Sequence, residues 1–240
     1  MTSRPADKAR EEEWLTFLGN AIEGLRLAAV RVRQEKERFE AYSDWFRPTS
    51  NDIPRENSVS QALKQVFDEM RAEQQISSSG AQAVDLRHIK IECERPRPFD
   101  IGISDAANPT DLSLVLMKDN ELDLRIEAKT VLNDAEVKAE YLGKRGLRRF
   151  DDSSNPYTVQ PYGGMIAYVV DSDAAVWTNA LGAAVEKAVG AKRYGKLKIR
   201  NEDHHVSRHR VDYIGRGKAI SQDVEVLHLA LEIDAKPPRR

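Results

Sequence analysis

One cysteine, Cys93, is all that the 240 residues contain. An internal disulfide framework is therefore excluded, and a reducing compartment fits. No apolar run approaches the ~18 residues that a membrane-spanning helix needs. Neither sign of charge dominates: 37 Lys and Arg face 39 Asp and Glu, for a net charge of −2. That balance excludes a chain that attracts nucleic acid through its total charge, so any such surface must be local. The first residues, "MTSRPADKAREEEWL", lack an apolar signal core and are too acidic for a transit peptide. A soluble, cytoplasmic protein with no membrane partner is the expectation. What is present is an ordinary globular composition, 40% hydrophobic and 32% charged. It suits one large domain, or one domain and an appendage.

The periodicity predicts one long helix over 8–42, with Trp14, Leu18, Ile22, Leu25 and Ala29 at three- and four-residue steps. Gly19 and Gly24 weaken it. A turn-rich loop, "SDWFRPTSNDIPREN", leads to a second helix over about 57–76, which carries Val59, Leu63, Val66, Phe67 and Met70. Strands are predicted over 84–92, 98–104 and 112–118. A "KDNE" turn then leads to an alternating strand over 122–130. Asn133 would cap a helix over about 133–149. "GGMIAYVVD" reads as a central strand, covered on both faces, and 173–189 as an Ala-rich helix. A basic loop is expected over 191–218, and a closing strand over 224–233. This order predicts an α/β architecture, a mixed central sheet flanked by helices. Residues 1–50 would form an N-terminal helical extension outside the main domain at 51–240.

The alternating strand carries the chemistry. In "LDLRIEAKT", Leu122, Leu124, Ile126 and Ala128 share one face, and Asp123, Arg125, Glu127 and Lys129 share the other. A solvated polar face is the plain reading. The sharper one adds Asp100, on the polar face of "PFDIGIS". Two carboxylates and a lysine on neighbouring strands suit a hard divalent cation bound by oxygen ligands.

Asp100, followed by Glu127-Ala128-Lys129 at the end of an alternating strand, resembles the PD-(D/E)XK nuclease superfamily, the restriction-endonuclease-like fold. Here "RPFDIGI" sets Pro98 one residue further from Asp100 than the strict form does. The predicted elements of 56–171 follow the family's αβββαβ order. The resemblance implies Mg²⁺-dependent hydrolysis of DNA, with Mn²⁺ able to substitute. Asp100, Glu127 and the Ala128 carbonyl would be metal ligands, and Lys129 would lie near the attacking water. Many members add an acid from the preceding helix, for which Glu56 is the candidate and Asp68 and Glu69 weaker ones. An endonuclease in bacterial defence is the expected role, acting as a homodimer or with a partner ATPase or helicase. The alternatives are a catalytically silent scaffold of the same fold that binds nucleic acid or a partner, and an RNA-cleaving, toxin-like nuclease.

Two basic segments would hold phosphates. The first offers Lys138, Lys144, Arg145, Arg148 and Arg149. The second, over 191–218, sets nine basic side chains against three acidic ones and includes Lys192, Arg193, Arg208 and Arg210. Tyr157, Tyr162 and Tyr194 could stack bases. A solvated loop is the competing reading for such charge runs. His204, His205 and His209 are too few for a zinc site without a nearby cysteine, and read as surface-loop residues. His228 reads as a satisfied core or edge histidine.

Overall fold

A computed structural model describes residues 5–42, 44–48, 50–76, 84–93, 111–118, 122–153, 156–170, 173–215 and 218–234. Helices α1 (Pro5–Gln34) and α2 (Lys36–Glu40) precede a small hairpin of β1 (Phe46–Arg47) and β2 (Ser50–Pro54). Helix α3 (Glu56–Ile76) leads into β3 (Ile89–Glu92), β4 (Leu112–Leu116) and β5 (Asp123–Val131). A short α4 (Asp134–Glu136) and β6 (Tyr162–Val170) follow, then α5 (Ala174–Val189), β7 (Tyr194–Ile199), β8 (Glu202–Gly215) and β9 (Lys218–Asp234).

Strands β3 to β9 form one mixed sheet in the order β3-β4-β5-β6-β9-β8-β7. Its centre, β5-β6-β9, is parallel, and both flanks are antiparallel. Helices α1 and α3 cover one face of the sheet. Leu18, Leu25, Leu63 and Phe67 meet Leu124, Ile126, Ile166 and Leu229 there. The apolar stripe of α1 is thus covered within this chain, by the same core that takes in α3. Gly24 permits the close approach: a Cβ there would lie 2.6 Å from the Phe67 ring. Helix α5, the segment 137–150 and Tyr157 cover the other face, against Met165, Ala167, Val169 and Val226. Among the described residues, no helix is long and apolar enough to cross a membrane.

The expected mixed central sheet flanked by helices is present, and among the described residues the elements from α3 run α3, β3, β4, β5, α4, β6. The strand predicted over 98–104 lies outside the described residues. Four expectations are corrected. The helix over 8–42 is two helices that divide at Glu35. The helix over 133–149 is only three α-residues, a π-turn at Val137–Tyr141 and a 3₁₀ turn at Leu147–Asp151. Asn133 does cap it, accepting from the Ala135 and Glu136 amides. Gly146 allows the break between the two turns: a Cβ there would lie 2.2 Å from the Tyr141 carbonyl oxygen.

The basic loop over 191–218 is a β-hairpin, β7–β8, with the start of β9. Arg200 and Asn201 both have positive φ (51° and 77°), as a tight turn between twisted strands requires. Nor is β5 half-buried, because all nine of its residues are buried. Its polar face is covered by a second layer of protein instead of water.

Candidate functional site

Strand β5 runs under the irregular 134–153 segment and Tyr157, so its charged face lies inside the molecule. The β4–β5 register pairs Leu112 with Ile126, which sets Asp111, one residue earlier, opposite Glu127. Asp111 Oδ2 accepts from the Ala128 amide at 2.7 Å. Glu56, the first residue of α3, reaches over from the helical layer. Its Oε1 accepts from the Thr130 amide at 3.2 Å, and its Oε2 from Lys129 Nζ at 3.3 Å.

Lys129 is the hub. Its ammonium lies 2.7 Å from Glu127 Oε1, 3.3 Å from Glu56 Oε2 and 3.8 Å from Asp111 Oδ2, and it donates to the Ala128 carbonyl at 2.9 Å. Three carboxylates therefore converge on one buried cation. The other oxygen of Glu127 is held by Arg149, from the 3₁₀ turn, at 2.5 Å. The Arg149 guanidinium lies 4.9 Å from the centre of the Tyr157 ring. Arg47, from the small hairpin, stands at the rim, 3.9 Å from Glu56.

The electrostatics follow from burial and crowding. Burial pushes the Asp111 carboxyl up to about 7, with Glu127 adding to the rise and Lys129 opposing it. Burial works against the Lys129 ammonium, but Glu127, Asp111 and Glu56 outweigh it, and its pKa lies above the ordinary lysine value. Burial, then the charges of Glu127 and Asp111, keeps the Tyr157 hydroxyl well above the usual phenol range.

The structure brings Glu127, Lys129, Ala128 and Glu56 together. Asp100 lies outside the described residues, and the acid opposite Glu127 is Asp111. Its signal is in the sequence: "NPTDLSLVL" sets Pro109-Thr110-Asp111 directly before an apolar strand, sixteen residues ahead of Glu127. The contact of Arg149 with Glu127 carries no such signal, because it depends on how a non-helical segment folds back. Asp68 and Glu69 are elsewhere, paired with Lys64 and Arg38.

Lys138, Lys144, Arg145 and Arg148 are exposed near the site in sequence. Members of the second basic group are engaged in the β7–β9 flank. Arg193 pairs with Asp151 at 2.6 Å, Arg208 with Glu225 at 3.1 Å, and Arg210 lies 3.8 Å from both Asp212 and Asp223. Lys192 is exposed. Tyr157 and Tyr162 are buried, Tyr162 against Trp14, which removes them as base-stacking platforms. Tyr194 bonds His205 through its hydroxyl.

The histidines of "DHHVSRH" lie on β8, and two of the three, His204 and His209, are buried. His209 belongs to a polar chain. Tyr141 donates to the Met165 carbonyl and bonds His228 Nδ1 at 3.0 Å. Ser207 Oγ joins His228 Nε2 at 2.9 Å to His209 Nε2 at 2.8 Å. His209 Nδ1 ends the chain between Asp151, at 3.0 Å, and Arg193, at 2.9 Å. His228 is thus a satisfied core histidine.

Among the described residues, no three His, Cys, Asp or Glu side chains are grouped as a metal-holding set. The donor chemistry nevertheless suits a hard divalent cation: the carboxylates of Asp111 and Glu127 with the Ala128 carbonyl, all oxygen. No protein-family model matches the chain, and no curated protein or solved structure is found similar to it.

Proposed function

We propose that this chain is a Mg²⁺-dependent nuclease of restriction-endonuclease-like fold that hydrolyses phosphodiester bonds in DNA. One observation carries the reading: Asp111, Glu127 and Glu56 converge on the buried ammonium of Lys129, between a sheet and a segment rich in exposed bases. Carboxylates gathered at one point beside a backbone carbonyl are the oxygen donors that a metal-binding catalytic site requires.

In this reading Asp111, Glu127 and the Ala128 carbonyl would hold the ion. Mg²⁺ bound there would stabilise charge on the phosphate and lower the pKa of a water. Lys129 orients that water and offsets negative charge as it attacks. Glu56 fixes the ammonium of Lys129 from the helical layer. Lys144, Arg145 and Arg148 receive the flanking phosphates.

A second reading has a specific observation behind it. Both oxygens of Glu127 are held by basic side chains, which suits a silent scaffold that binds nucleic acid without cutting. Cleavage of plasmid, linear duplex and single-stranded DNA, and of RNA, separates the two. The assay runs with Mg²⁺, Mn²⁺ or EDTA, beside Glu127→Gln and Lys129→Met. The expected result is metal-dependent cutting of DNA that falls at least ~10²-fold in either variant. Cutting of RNA alone would replace the substrate. Cutting unaffected by both variants, or no cutting together with no Glu127-dependent metal binding, would overturn the proposal.

A further inference from the structure

Glu127 is held by two cations, and the two are not alike. Lys129 rises from the same strand and is 8% exposed; it is also bound to Glu56 and the Ala128 carbonyl. Arg149 comes from a separate 3₁₀ turn and is 20% exposed. It has a seat that does not depend on Glu127, over the face of Tyr157. Of the two, Arg149 is the one that can leave.

The departure has a geometric consequence: it frees Glu127 Oε2, on the strand face where Asp111 Oδ2 meets the Ala128 amide and beside the Ala128 carbonyl, for another cation.

We propose that Arg149 is a displaceable cation: it occupies Glu127 in the resting protein and yields it to a divalent ion when its guanidinium turns to a phosphate of the bound strand. This rests on the phosphodiester-hydrolase reading. The guanidinium fork matches phosphate oxygens as well as it matches a carboxylate. Exposed Lys144, Arg145 and Arg148 on the same stretch draw a polyanion towards it. Metal and nucleic acid then favour each other's binding, because each removes the competitor of the other.

The test is a calorimetric titration of Mg²⁺ into the wild type and Arg149→Met, each with and without Glu127→Gln. Arg149→Met is expected to bind roughly tenfold more tightly than the wild type, the scale of one charge-assisted hydrogen bond removed from competition. Glu127→Gln should abolish binding in both backgrounds. Equal, Glu127-dependent affinities would overturn the exchange and leave the hydrolase reading standing. No Glu127-dependent binding in either protein would overturn both. Should Arg149→Met fail to fold, the wild type answers alone. Its Arg149 Nε–H resonance should move as Mg²⁺ saturates the protein; a signal unchanged through saturation would overturn the exchange.

Discussion

Asp123–Arg125 and Glu127–Lys129 are consecutive acid–base pairs on one face of one strand, and all four side chains are buried. The first pair is closed. Asp123 accepts from Ser113 at 2.5 Å and from Arg125 at 3.2 Å, and Arg125 also donates to the Tyr157 carbonyl at 3.3 Å. The second pair is crowded, with two further carboxylates on the lysine and an arginine on the glutamate. Burial is therefore not what marks the candidate site. The mark is the convergence of three carboxylates on one ammonium. On the proposed reading, fold and function divide along this strand between residues 125 and 127.

The comparison breaks most sharply at Arg125. Arg125→Met leaves a buried carboxylate without its cation and should cost about 3–5 kcal/mol of stability in urea denaturation. Cleavage per folded molecule should stay within about twofold. A cost below about 1 kcal/mol would erase the distinction between the pairs.

Asp111 should behave in the opposite way. Its folded pKa, about 7, lies above the ordinary value of 3.8. The stability owed to its protonated form is fully present below pH 3.8, and is lost as pH rises through 7. Asp111→Asn keeps the acceptor for the Ala128 amide and escapes that loss. The variant should gain about 4 kcal/mol over the wild type at pH 8, shrinking to nothing below pH 4, while cleavage is lost. A gain that does not vary with pH would show that Asp111 stays ionised.

The smallest effect should come from Glu56, at the rim of the crowd. Glu56→Gln removes one of the three charges on Lys129 and keeps the acceptor for the Thr130 amide. It should change stability by less than about 1 kcal/mol in a thermal melt. Because Glu56 contributes to the raised Asp111 pKa, the same variant should lower the midpoint of an Asp111 carboxyl NMR titration. An unmoved midpoint would detach Glu56 from the site.

Much of this was legible in the sequence. Apolar periodicity located α3, β6 and α5 to within about two residues, and the alternation of β5 located Glu127 and Lys129. Glu56 was legible as the acid that opens a helix. The burial of β5 was not, because alternation reports that one face is polar and is silent on whether water or protein covers it. Asp111 was obscured by Asp100, which sits in a better alternating pattern. The β7–β8 hairpin was hidden by its charge: basic residues on the exposed face of a strand look like a loop, and Arg200-Asn201 is not the usual glycine-bearing turn. The division at Glu35 was hidden because the charged pattern continues across it.

The polar chain under α5 has a further consequence, in the direction of its hydrogens. Tyr141 has one proton and gives it to the Met165 carbonyl. It must then accept from His228, which fixes that ring with its hydrogen on Nδ1. His228 Nε2 is left to accept from Ser207, and Ser207 to accept from His209 Nε2–H. Every hydrogen is thus ordered in one sense, as along a row of molecules in ice. Burial holds His228 neutral, its pKa pushed down to about 3. The row's outer end is His209 Nδ1, which lies within hydrogen-bond distance of both Arg193 and Asp151. Three buried rings and a hydroxyl are in this way set by one proton, the one that Tyr141 gives to the Met165 carbonyl.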